Sequence, residues 1–309
     1  MNPTRRFASS RIRLIAALAA ALLALASCAP APKTLSPREF EVQWHDLLAQ
    51  RDYPAAEKLI KGRERQLPND PEALIARANL YFRQATGPGA GFGAGGRAGA
   101  AAGDSAGLDT VLAQRAIDTL RDGIKRFPNR LDIRMGLAFV CRQLGMRNAE
   151  VQLIGELVAY ARDRGDSLRW SYGEPLPMPA RKYVPQLLHE SVRYYTDRGA
   201  PGDDQAMMAI AQMVMQAYPE SPLAPNDVGY WFANHNQWAR SLEFLERAER
   251  ADSTDALVLY NLGWANEQLR RRDPAIHYYR RSLSLSTAGS NADIARSASG
   301  RLAALGATP

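Results

Sequence analysis

Four histidines and two cysteines are the scarcest reactive side chains in this 309-residue sequence. His45, His189, His235 and His277 stand far apart and show no ligand spacing. A metal site needs several donors converging on one point. They read as surface or helix-packing residues, and no metal is expected. Cys141 lies among Phe139, Val140 and Leu144, the company of a buried thiol. A reactive thiol needs an electropositive, accessible setting. No G-x-S-x-G, P-loop or H-E-x-x-H occurs, so neither an enzymatic activity nor a cofactor is expected. Gly91 to Gly96 spells G-x-G-x-x-G, but a helix precedes it and low-complexity sequence follows. A dinucleotide site needs a strand before and a helix after. Arg164-Gly165-Asp166-Ser167 falls in a Pro/Gly-rich stretch where turn residues are expected anyway. Met207, Met208, Met213 and Met215 crowd one helical segment; core packing is the favoured reading over a binding surface.

Cys28 is different because of what precedes it. Arg5, Arg6, Arg11 and Arg13 form a basic start without an acid, and Leu14 to Ala26 is an almost unbroken Ala/Leu run. That order marks a secretory signal, here residues 1–27, and the run falls short of the roughly 20 apolar residues a bilayer span takes. Arg5-Arg6 reads as ordinary charge in that segment, since Phe7 is out of register for twin-arginine export. Leu25-Ala26-Ser27-Cys28 resembles the lipobox of bacterial lipoproteins. The resemblance implies that Cys28 is acylated and becomes the first residue of the mature chain. Ala29 at the next position resembles signals for the outer membrane of Gram-negative bacteria. Residues 28–36 then form a lipidated tether, its last eight residues spanning at most about 25 Å if extended.

Charge adds little beyond this. The whole chain carries +7, but taking the four signal arginines from 39 Lys and Arg leaves 35 against 32 Asp and Glu. A balance near +3 supports no claim on nucleic acid. With Cys28 committed to lipid, Cys141 has no partner for an intrachain disulfide.

The elements that must position any site repeat every 34 residues. Val228, Gly229 and Tyr230 correspond to Leu262, Gly263 and Trp264; Leu245 and Ala248 correspond to Tyr279 and Ser282. Upstream, Ala56 with Ala116 and Pro68 with Pro128 are 60 apart, one period plus an insertion. That insertion is the Gly/Ala tract 86–107, which cannot build a core. Each unit reads as two amphipathic helices. Asp70-Pro71 and Asp273-Pro274 predict an N-cap followed by a first-turn proline, and Ser36 with Glu39 predicts a capping box. Leu259, Leu262, Gly263 and Asn266 form one stripe; Ala275, Tyr279 and Ser282 form the next.

The segment LYNLGWANEQLRRRDPAIHYYRRSLSL, Leu259 to Leu285, resembles the tetratricopeptide repeat (TPR). It has the Leu-Gly pair, second-helix alanine, aromatic and small residue, and departs at Asn266 and Ser282, where tyrosine and alanine are usual. The resemblance implies an all-α, TPR-like α-solenoid over 37–309. About six helix pairs would be followed by a capping helix near Asn291 to Leu305, with a linker at 163–182. In that family the first helix of each pair lines a concave groove. The projection puts Asn226, Tyr230 and Asn234 there, then Tyr260, Trp264, Glu267 and Gln268, with Phe82 and Phe139 extending the face. Aromatic rings beside amides and a carboxylate suit peptide or glycan contact. The expected function is a lipid-anchored protein–protein interaction scaffold of the bacterial cell envelope. It would bind a peptide or protein segment through Asn226, Tyr230, Tyr260, Trp264, Glu267 and Gln268, on an outer membrane facing the periplasm. The alternative is an envelope enzyme or small-ligand or glycan-binding protein with its site in the groove or linker.

Overall fold

The computed structural model describes residues 34–87, 108–287 and 291–308. Cys28, the signal segment and almost all of the Gly/Ala tract therefore lie outside the described residues. Residues 1–43 and 44–309 form two units. In the first, the capping box is present: the Ser36 amide donates to Glu39 Oε2 at 2.8 Å and the Glu39 amide to Ser36 Oγ at 3.3 Å. Together they satisfy two donors that a helix start leaves orphaned.

Among the described residues the regular structure is helical: α1 (Pro37–Ala49), α2 (Tyr53–Gln66), α3 (Pro71–Thr86), α4 (Thr110–Arg126), α5 (Leu131–Gln143), α6 (Arg147–Arg164), α7 (Ala180–Arg198), α8 (Asp203–Ala217), α9 (Leu223–Asn234), α10 (Trp238–Ala251), α11 (Ala256–Gln268), α12 (Arg272–Thr287) and α13 (Ala292–Ala304). Aspartates start several of them. Asp70 accepts from the Glu72 amide ahead of α3, and Asp255 from the Leu257 and Val258 amides ahead of α11. Asp273 does not act this way. α12 already begins at Arg272, and the Ala275 amide bonds back to the Arg271 carbonyl. Pro274 thus sits inside the first turn, where its missing N–H costs nothing.

Within residues 44–309, helices pack pairwise as α3–α4, α5–α6, α7–α8, α9–α10 and α11–α12, with α2 against α3 and α13 covering α11 and α12. Each pair also packs on the next, which makes the all-α solenoid arrangement. Its 34-residue period has a steric cause. A Cβ at Gly229 would lie 2.7 Å from Leu245, and one at Gly263 2.7 Å from Tyr279. Each glycine lets the second helix press its large side chain onto the first. Buried hydroxyls reinforce the same crossings. Ser241 Oγ donates to the Gly229 carbonyl at 2.8 Å, and Ser282 Oγ to the Ala256 carbonyl at 2.7 Å. Ser282 therefore supplies a bond that alanine could not. Asn266, the other departure from the repeat pattern, is buried and donates to the Leu262 carbonyl one turn back.

Two irregularities interrupt the stack. The Gly/Ala tract separates α3 from α4, yet its ends meet: the Asp109 amide donates to the Ala85 carbonyl at 3.0 Å. The linker is shorter than 163–182, because α6 runs to Arg164 and α7 starts at Ala180. The 165–179 segment lies against the stack. Leu168 is buried in the core, Arg169 exchanges backbone bonds with Asn129 and Leu131, and the Tyr172 amide donates to Glu72 Oε1 at 3.0 Å. Elsewhere in the stack, Glu150 is fully buried and takes bonds from Arg142 and Tyr195, tying α5, α6 and α7 together. Cys141 is a buried thiol, and burial pushes its pKa up to about 11. Met207 and Met215 are core, with Met208 and Met213 packed against it.

Candidate partner-binding face

α9 and α11 lie side by side, and their matching positions carry the same chemistry. Tyr230 is followed one turn on by Asn234; Trp264, 34 residues later, is followed by Gln268. Tyr230 is 41% exposed, and both amides are exposed. The Tyr230 and Trp264 ring centroids are 6.3 Å apart. Trp264 is half-buried, and Trp238 at the start of α10 meets it edge-on at 5.1 Å. Leu257, one turn before Tyr260 on α11, is 42% exposed. The result is an aromatic and aliphatic ledge edged by neutral amides.

Other residues of the expected set are occupied. Asn226 is only 6% exposed, and its Oδ1 accepts from Asn261 Nδ2 at 2.9 Å. It joins α9 to α11 from within and does not lie on the open face. Glu267 accepts from the Tyr279 hydroxyl at 2.7 Å and sits 3.4 Å from Arg301 on α13. Burial and this bond hold the Tyr279 pKa above the ordinary phenol range. Tyr260 is half-buried, its ring 5.5 Å from that of Tyr279, and it lies close enough to Arg301 to interact with its charge. Glu267 and Tyr260 thus brace α11 against α12 and α13. Phe82 is fully buried and packs edge-on with Phe139 at 6.2 Å, so Phe82 belongs to the core and does not extend the face.

The projection missed Leu257 and Trp238. Leu257, Tyr260, Trp264 and Gln268 follow helical 3–4–4 spacing, so Leu257 was visible in the sequence as the start of the stripe. Trp238 belongs to a second helix, which a first-helix projection does not consider.

What remains free is apolar ring and methyl surface plus neutral amide donors and acceptors. That inventory favours apolar contact and hydrogen bonding to a neutral polar backbone over capture of a charged group. Among the described residues no three His, Cys, Asp or Glu side chains converge as a metal site. No helix among the described residues is long and apolar enough to cross a membrane. One histidine does have a carboxylate partner: His189 Nδ1 lies 2.7 Å from Asp227 Oδ2, across α7 and α9.

No protein-family model matches the chain, and no curated protein matches its sequence. Solved structures do show similarity. The C-terminal part of a TPR repeat-containing protein from Cytophaga hutchinsonii is 12% identical, with 86% of this chain and 87% of that one covered and a TM-score of 0.48. MamA residues 41-end from Desulfovibrio magneticus RS-1 are 13% identical, covering 58% of this chain and 88% of that one at a TM-score of 0.35. A further MamA crystal structure is 14% identical, covering 58% and 91%, also at 0.35.

Proposed function

We propose that this chain is a protein-interaction scaffold that holds an extended segment of a partner protein across α9 and α11. The observation that carries this reading is the paired exposure of Tyr230 and Leu257 on first helices, with Asn234 and Gln268 beside them. Interface energy usually concentrates in a few aromatic anchors whose surroundings exclude water. Tyr230 and Trp264 have that chemistry, and the flanking amides can bond a peptide main chain. The lipobox at Cys28 supports placing the scaffold on a membrane of the bacterial cell envelope, with an outer-membrane, periplasm-facing site as the finer expectation. A chain read this way performs no reaction: it raises the local concentration of its partner near the membrane.

Photo-crosslinking in living cells tests the reading. A photoreactive residue replacing Tyr230 or Leu257 should give a discrete protein adduct that the same residue at exposed Arg250, on second helix α10, does not. Equal adducts from all three positions, or from Arg250 alone, would contradict this face as the site.

A further inference from the structure

A second surface lies on the other helix of the last pair. α12 and the chain that follows α13 enclose an open cleft of about 590 Å³, lined by Arg272, His277, Arg280 and Arg281 with Asp273 at its edge. The floor is apolar, from Ile276 and Ala307. Two of the arginines are held in place by backbone. Arg272 Nη2 donates to the Leu305 carbonyl at 2.7 Å, and Arg280 donates through Nε and Nη2 to the Thr308 carbonyl at 3.1 and 2.9 Å. A guanidinium has five N–H donors, so each keeps donors that the tail does not use. Arg281 is anchored through Glu249 at 2.5 Å and the Ser253 carbonyl at 3.0 Å. Glu249 thus balances Arg281, while the Asp273 side chain, 93% exposed and 3.9 Å from Arg272, offsets little of the charge on Arg272 and Arg280.

We infer that this cleft binds an acidic peptide segment, as a second partner surface separate from the ledge on α9 and α11. Three features favour a peptide over other polyanions. Guanidinium groups fixed in advance lose little freedom on engaging carboxylates. Ile276 and Ala307 would receive the carbon atoms flanking an acidic side chain. The concave shape admits individual side chains, whereas a membrane presents its charges on a plane. The chain could then join two protein segments at once, one neutral on first helices and one acidic on α12.

The test is fluorescence anisotropy with the full chain and a short labelled peptide alternating glutamate with leucine, beside its glutamine counterpart. At low ionic strength the acidic peptide should bind at least about tenfold more tightly, and added salt should weaken it. Arg272→Gln with Arg280→Gln should cost at least about tenfold, while lysine at both positions keeps much of the binding. Those arginines also hold the tail, so His277→Glu is the second variant. It places a negative charge on the exposed cleft wall and should weaken binding comparably with the melting temperature unchanged. Trp264→Ala should leave this binding intact. Three outcomes would overturn the inference: no preference for the acidic peptide, equal weakening by Arg270→Gln outside the cleft, or His277→Glu without effect. Anionic phospholipid vesicles that bind through the same residues and displace the peptide would assign the cleft to a membrane instead.

Discussion

At the residue scale, the period-34 glycines explain why the helix pairs close so tightly. Gly263 has room for a hydrogen only, because a Cβ would press into the Tyr279 ring, itself fully buried. Backbone and a packed aromatic cannot both yield, so Gly263→Ala should destabilise by about 1–3 kcal/mol despite alanine's better helix propensity. Denaturant unfolding measures this directly; a stability equal to or above that of the native chain would refute the steric account. The same ring explains where reading from sequence fell short. The resemblance to the tetratricopeptide repeat implied that Tyr260, Trp264 and Glu267 share a face. It could not show that Glu267 is bound to Tyr279 and Arg301, residues 12 and 34 positions away. Asn226 failed for a similar reason. Its side chain meets Asn261, and a projection of single helices carries no information about the neighbouring one.

At the element scale, the helices were legible where an apolar stripe or an aspartate cap marks them, as Asp70 does for α3 and Asp255 for α11. The 165–179 segment was not legible as an ordered strap. Its hold on the stack comes from Arg169 and Tyr172 bonding to backbone and to Glu72, contacts distant in sequence. The Gly/Ala tract makes a firmer prediction. Its ends are already joined through Asp109 and Ala85, and lengthening a loop costs only about 0.6 kcal/mol per doubling. Replacing 88–107 by a short glycine-serine turn should leave the melting temperature unchanged or slightly higher; a fall of many degrees would show that the tract is structural. The α7–α9 contact should respond to pH. Burial works against a charged His189, but the hydrogen bond and charge of Asp227 outweigh it, with Glu190 adding and Arg193 opposing, so its pKa is raised. A pKa raised on folding gives stability that is complete below the unfolded value, roughly 6.5, and lost as pH climbs through the folded one. His45 pulls the other way, its pKa lowered by burial and by Arg83. Burial raises the Asp227 pKa as well, so the difference between the native chain and the double variant His189→Gln, Asp227→Asn isolates the pair. It should be largest near pH 6 and shrink as pH rises; a difference that is constant or grows with pH would contradict the assignment.

At the scale of the whole molecule, the proposal combines an anchor, a stack and two unlike surfaces. The anchor rests on the lipobox. One acyl chain holds a protein only marginally, whereas two or more anchor it stably. Cys28→Ser should therefore leave an uncleaved precursor without lipid, and mass spectrometry of the native chain should find a lipidated Cys28 at its start. A native chain beginning at Ala29, or at an unmodified Cys28, would remove the anchor from the account.

The central claim is that the α9–α11 ledge binds a partner and is not merely core. Tyr230 is the position that separates these roles, because it is exposed while its neighbours Trp264 and Tyr260 are half-buried. Once crosslinking has identified the partner, its affinity should be measured for the native chain, Tyr230→Ala and Leu262→Ala. Leu262 is fully buried, and its truncation should cost roughly 2–5 kcal/mol of stability. Tyr230→Ala should instead keep the melting temperature within a few degrees and weaken partner binding about 30-fold, the equivalent of about 2 kcal/mol. Unchanged affinity in a stably folded Tyr230→Ala, or unfolding of that variant, would contradict the claim.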